Sequence, residues 1–213
     1  MMFSNDASGF VSLSHFLPSI LCEIRYHSSY NFIGDRIDGY EEPLALATRE
    51  AAEALKKAAA LAAAKGYIFK IYDAYRPQSA VDHFVRWAED TTDTRMKSVF
   101  YPNVNKKDLF SQGFIARHSG HSRGSTIDLT LFDITAGKEV DMGGPFDFFG
   151  PLSHPDHTEG LTAEQFSNRQ LLRGFMLDSG FRPLSTEWWH FTLDNEPYPD
   201  TYFTFPVRMD SLR

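Results

Sequence analysis

Between Thr48 and Gly66, in "TREAAEALKKAAALAAAKG", Arg49, Glu50, Glu53, Lys56 and Lys57 share one helical stripe, and alanines and leucines fill the others. Thr48 is placed to cap the first turn and Gly66 suits a left-handed stop, so the spacing predicts a helix. Its alanine surface implies close packing against a sheet. "YIFKIYDAYRP" then reads as a strand ending before Pro77, because the proline ring keeps Arg76 extended; Asp73 and Arg76 fall at the strand end. Val81, Phe84, Val85 and Ala88 return to helical spacing. Residues 91–117 show weak periodicity and read as long loops with short turns, a length at which loops tend to be functional. Ile127, Leu129 and Leu131 alternate with Asp128 and Thr130, which makes a strand with Asp128 opposite the apolar face. Residues 141–160 are rich in Gly, Pro and Asp and form another loop. Thr162 and Gln165 make a capping box for a helix running to about Ser179, stopped by Gly180, and "FRPLSTEWWHFTL" is aromatic and strand-like. Strands arriving separately between helices and loops fit α+β better than a regular βαβ repeat.

Length changes this picture only by favouring a single domain over residues 1–213, since the chain is long enough for one substantial core. A formal net charge of −7 excludes the general basic field that would hold nucleic acid, leaving small or cationic ligands. Cys22 is the only cysteine, so no intrachain disulfide framework exists. No apolar run approaches the ~18 residues of a membrane span. The N-terminal apolar patch lacks a preceding basic region, and a cytoplasmic location is the expectation.

The stretch "HSGHSRGSTIDLT" at 118–130 concentrates chemistry. His121 sits in a Ser/Gly turn, Asp128 on the following strand, and His190 in another strand close to Glu187. Two imidazoles and a carboxylate suit Zn²⁺, and three protein ligands leave a fourth position for water, the mark of a catalytic site. Glu187, as a carboxylate that is not a ligand, would accept the proton of that water. In an ideal strand Glu187 and His190 face opposite sides, so the arrangement requires a bulge, twist or strand end between them. Each group also has an ordinary reading. A histidine among the eight here is more often a hydrogen-bonded or surface residue than a ligand, and "EWWHF" also reads as an aromatic core strand. Asp128 also reads as a backbone partner, and Arg76 as a salt-bridge residue. His118 competes with His121 on local spacing, whereas His154 and His157 lie in a loop that favours exposure.

These motifs resemble the VanX-type D-alanyl-D-alanine dipeptidases, zinc peptidases related to D,D-carboxypeptidases. "SGHSRGSTIDLTL" looks like their S-x-H-x6-D metal motif, "STEWWHF" like their E-x-x-H motif and "DAYRP" like their arginine segment, with further similarity in "YNFIGDRIDGY", "FDF" at 146–148 and "EPYPDTYFTFPV". The resemblance implies an α+β fold with an antiparallel sheet and flanking helices, and one zinc per chain held by His121, Asp128 and His190. It implies Glu187 as catalytic base and Arg76 as the group that stabilises the tetrahedral transition state. Ser119, Tyr26 and Tyr40 are expected substrate contacts, with Asp73 counted among them. Asp147 is expected to bind the ammonium group of a free dipeptide, since it matches the family's F-D-F aspartate in a Gly/Pro-rich loop; its rival role is to cap its own turn. The expected substrate is D-Ala-D-Ala or a related small dipeptide, in cell-wall precursor turnover or glycopeptide resistance. A D,D-carboxypeptidase acting on longer peptidoglycan peptides and a non-catalytic zinc-bearing binding module are the alternatives. A homodimer is left open. The residues flanking Ser119, His118 and Gly120, and the "YHSSYNF" segment depart from the family pattern, which bears on substrate preference rather than on metal chemistry.

Overall fold

The computed structural model describes residues 1–213. In chain order the elements are β1 (Met2–Ser4), β2 (Phe10–Ser12), α1 (Leu13–Phe16), β3 (Leu21–Cys22), β4 (Leu46–Thr48), α2 (Arg49–Ala63), β5 (Tyr67–Asp73), α3 (Gln78–Glu89) and α4 (Lys97–Phe100). They continue with β6 (Thr126–Asp133), β7 (Lys138–Glu139), α5 (Ala163–Leu177), β8 (Phe181–Leu184), β9 (Glu187–Leu193) and β10 (Thr201–Phe203). The α+β expectation holds. The main sheet runs β3-β5-β6-β9-β8, with β7 also on β6; it is antiparallel except for the β3–β5 pair.

Local sequence physics builds the frame. The Thr48 hydroxyl accepts from the Ala51 N–H and opens α2, while Gly66 at φ 87° ends the run. The alanines and Leu55 are buried as α2 packs on β5 and α5. Thr162 and Gln165 form both bonds of the capping box that opens α5. Ile127, Leu129 and Leu131 are fully buried in β6, and Asp128 and Thr130 on the opposite side are buried as well. Central position in the sheet explains this: β6 has neighbours on both edges and cover on both faces. The aromatic, strand-like run 181–193 forms two strands, because Ser185 and Thr186 turn it into the β8–β9 hairpin.

Two irregularities in the ladders decide what lies where. Between Ile71 and Asp73 the β5–β6 register shifts, so Asp73 rather than Tyr72 comes opposite Asp128. Between Pro183 and Leu184 the β8–β9 register shifts too, and Leu184 pairs with Glu187. Bulges of this kind re-aim side chains at sheet edges and sites. With Asp128 also paired to His190, the residues Asp73, Asp128 and His190 form one row across three strands.

Candidate metal centre and substrate cavity

His121 joins this row from the 3-10 turn Gly120–Arg123, which the Ser119 hydroxyl caps by accepting from the His121 N–H (3.2 Å). Gly124 closes the turn at φ 82°; a Cβ there would lie 2.3 Å from the Phe10 ring, so the motif requires glycine. His121 Nδ1 lies 2.7 Å from the Ala74 carbonyl, while the Arg76 N–H donates to the His121 carbonyl (3.3 Å). As donor to that carbonyl, Nδ1 holds the proton and leaves Nε2 as the electron-pair donor, the usual outer-shell arrangement of a ligating histidine.

The three side chains converge on one point. His121 Nε2 lies 3.3 Å from His190 Nδ1 and 3.3 Å from Asp128 Oδ2, and His190 Nδ1 lies 3.2 Å from Asp128 Oδ1. Bonds of about 2.0–2.1 Å to a tetrahedral zinc give ligand–ligand edges of about 3.3 Å, and the two imidazole nitrogens stand at that spacing, with one Asp128 oxygen turned to each of them. Asp128 Oδ1 is moreover buried without a hydrogen-bond partner although His190 is close, as expected where donor atoms face a common centre rather than each other. The set His121, Asp128 and His190 forms a metal-competent group, and Glu187 falls outside it. Glu187 Oε2 is still only 3.3 Å from His190 Nδ1, at the start of β9 where the register shift lies. The irregularity required by the sequence is present.

Electrostatics points the same way. Burial disfavours the His190 cation, but the neighbouring Asp128 and Glu187 carboxylates outweigh it and hold the ring pKa up at about 9. Burial likewise works against the Asp128 carboxylate, yet the His121 and His190 contacts hold its pKa well below the usual range. The cluster favours positive charge at its centre.

Beside it opens a cavity of about 360 Å³, lined among others by Tyr26, Arg76, Ser119, Asp147 and Glu187. That volume lies at the small end for ligand sites. Arg76 enters with its Nε and Nη2 donating to Asp73 Oδ2 (3.0 and 2.9 Å), and its guanidinium carbon lies 4.9 Å from the centre of the Tyr26 ring. Asp73 is fully buried, and its second oxygen accepts from the Tyr40 hydroxyl (2.6 Å). Neither Tyr40 nor Asp73 lines the cavity; they stand behind Arg76 and orient it. In the same cavity, the Tyr26 hydroxyl donates to Asp147 Oδ2 (2.7 Å). Asp147 is the one non-glycine residue with positive φ (62°), a conformation that stores strain at sites of function. Burial first, and the Asp128 charge second, push its pKa well above the usual carboxylate value. The turn-capping role has no support, since its carboxylate bonds to Tyr26 rather than to its own loop backbone.

His118 lines the cavity but lies outside the metal group, its ring 5.2 Å from that of Tyr202. His154 and His157 are not in the cavity. Sequence reasoning missed Arg123, which lines the cavity and is gripped by Glu196 through Nε and Nη2, both at 2.8 Å. Its place inside the motif was the available signal. It also missed the apolar wall made by Phe32, Phe84, Phe114 and Phe149, whose parts are far apart in the chain.

A candidate metal triad, two members on strands and one on a 3-10 turn, with an adjacent carboxylate and an arginine is the set of groups a metallopeptidase-type centre uses. Residues 6–208 match the peptidase M15 family described as D-ala-D-ala dipeptidase, and the chain belongs to that family. A D-alanyl-D-alanine dipeptidase of Enterococcus faecalis is 44% identical over 201 residues, covering 94% of this chain and 98% of that protein. Proteins of the same name from Enterococcus faecium and Streptomyces coelicolor are 42% and 41% identical, covering 94% and 90% of this chain and 98% and 96% of their own lengths. No helix is long and apolar enough to cross a membrane.

Proposed function

We propose that this enzyme is a zinc-dependent dipeptidase that hydrolyses free D-Ala-D-Ala. The reading is carried by one juxtaposition: three metal-ligating side chains whose donor atoms lie within 4.8 Å of one another line the same cavity as the buried Asp147 carboxylate. His121, Asp128 and His190 would hold zinc, which when bound lowers the pKa of water to about 7 and polarises a carbonyl. Glu187 takes the proton of the attacking water and returns it to the leaving amine, a role open to it because it stands beside the ligands without being one. Arg76 remains cationic, and Asp73 occupies only its Nε and Nη2; Nη1 is left to stabilise the oxyanion that develops on the substrate carbonyl. Asp147, with Tyr26, receives the substrate ammonium, and Ser119 contacts its other end.

Charge supports the assignment. Asp128 and Glu187 line the cavity against Arg76 and an Arg123 already paired with Glu196, and Asp147 adds a carboxyl group that an arriving ammonium would favour in its ionised form, so the cavity has room for a metal cation and an ammonium group. A D,D-carboxypeptidase would need the Asp147 side open for a chain. Kinetics on D-Ala-D-Ala, its N-acetyl form, L-Ala-L-Ala and a pentapeptide stem separate the readings: cleavage is expected of the free D-dipeptide and lost on acetylation. Equal rates on the free and acetylated forms would overturn the dipeptidase reading in favour of carboxypeptidase action. Cell-wall precursor turnover or glycopeptide resistance is the role that goes with this substrate, in the cytoplasm; gene context and fractionation test these, and light scattering decides between monomer and homodimer.

A further inference from the structure

The loop between β7 and α5 carries Asp147 to the cavity, and a single helix grips both of its ends. At the outgoing end, Gln165 Nε2 donates to Asp141 Oδ2 (2.9 Å), Asn168 Nδ2 to the Asp141 carbonyl (2.9 Å) and Arg169 Nε to the Met142 carbonyl (2.6 Å). At the returning end, Arg169 Nη1 donates to the His154 carbonyl (3.0 Å), Gln170 Nε2 to the Pro155 carbonyl (3.2 Å) and Arg173 Nη1 to Asp156 Oδ1 (2.9 Å). Arg169 alone holds both ends. It is also the one member of this row that is fully buried.

That burial is expensive. Arg169 has no carboxylate partner, its Nη2 is buried without an acceptor, and its guanidinium carbon lies 5.8 Å from the Trp188 ring centre. An apolar side chain of similar volume would fill the space without burying a charge. What such a side chain could not supply is the tie between two distant carbonyls. Asp147 needs one: a residue held at φ 62° persists only where its surroundings over-determine the backbone. Within the loop, Phe146 stacks on Tyr72 (4.7 Å between centres) and Phe149 on Phe114 (5.0 Å), which fixes the rings on either side of Asp147 but not the loop's span.

We propose that Arg169 is a positioning residue for substrate recognition. By fixing the Met142 and His154 carbonyls relative to each other, it sets the path of the intervening loop and aims the Asp147 carboxylate at the substrate ammonium. This rests on the reading of Asp147 given above. It places a determinant of substrate choice at the buried helix–loop junction, outside both the metal group and the cavity lining.

The test compares kcat and KM on D-Ala-D-Ala with those on D-lactyl-D-alanine, which keeps the scissile amide but carries a hydroxyl in place of the ammonium. Asp147→Asn is expected to lower the preference for the ammonium substrate, read as the ratio of kcat/KM values, by about tenfold or more. Arg169→Met should lower it by about tenfold, mainly through KM on D-Ala-D-Ala, and Arg169→Lys, which can still hold one carbonyl, by about threefold. In the Asp147→Asn background neither Arg169 change should lower the ratio further, because both act through the same carboxylate. A purely structural Arg169 would lower thermal stability and scale both substrates alike. A ratio that collapses in Asp147→Asn but is unchanged in the Arg169 variants, or that falls additively in the double variants, overturns the positioning role and leaves the ammonium reading standing. A ratio unchanged in Asp147→Asn overturns the ammonium reading and the positioning role with it. Should Arg169→Met fail to fold, Arg169→Lys alone and in the Asp147→Asn background carries the same comparison.

Discussion

Asp128 and His190 stand on paired strands in the middle of a sheet, whereas Asp147 faces them from a loop whose shape is imposed from outside. The metal half inherits its geometry from ladder hydrogen bonds: once Asp128 pairs with His190, and His121 is fixed through Ala74, no side chain has far to move. The ammonium half relies on a strained backbone position, one tyrosine and a helix that clamps the loop ends. Chemistry that must be the same for every substrate is built on the rigid element. The proposed recognition of the substrate, which must admit and release it, rests on a loop held by side chains rather than by a strand ladder.

The largest expected effects break the metal half. Asp128→Ala and His190→Ala should each lose bound zinc and essentially all turnover, while His118→Ala retains both; elemental analysis and rates on the same samples check this. Full zinc occupancy in His190→Ala would refute the ligand assignment. Next in size, Glu187→Ala and Arg76→Ala should keep zinc and the fold yet lose about 10²–10⁴ in kcat, the range for a proton acceptor or an oxyanion donor. Tight zinc binding with near wild-type turnover in Glu187→Ala would remove the base from the mechanism.

The smallest effect sharpens the contrast with the loop. Burial and the Asp128 charge raise the folded-state pKa of Asp147 above its unfolded value, so the folded protein binds that proton more tightly. The stability this contributes is full below the unfolded value of about 4 and is lost as pH rises through the raised value. Asp147→Asn, which cannot ionise, should therefore unfold at a higher temperature than wild type at pH 8 in metal-free protein, with the gap closing towards pH 4. Calorimetry across that range decides it; a gap that widens on acidification would show that Asp147 is ionised and stabilising in the free protein.

Much of this was legible in the chain. The Thr48 and Thr162 caps, the helical stripes and the alternation around Asp128 act over a few residues, and each element formed where its pattern placed it. The resemblance carried by the S-x-H-x6-D and E-x-x-H motifs pointed to the three side chains that the structure gathers into one metal-competent group, and to the carboxylate beside them. Arg169 was overlooked because an arginine on a helix ordinarily keeps its head in water. The signal was present in its spacing: positions 169, 172 and 176 follow the buried stripe of α5.

The sequence by itself determined the elements and offered the candidate reacting groups, because capping, periodicity and ligand chemistry depend on residue type and short-range spacing. Only the tertiary structure decided how those groups meet. The parity of an ideal strand sets Glu187 and His190 apart, and a register shift brings them within 3.3 Å. Another shift sets Asp73 opposite Asp128, and the packing around it turns Asp73 and Tyr40 from the cavity to the support of Arg76. Bulges and loop clamps arise from competition between strands and helices distant in the chain. No local pattern records the outcome of that competition.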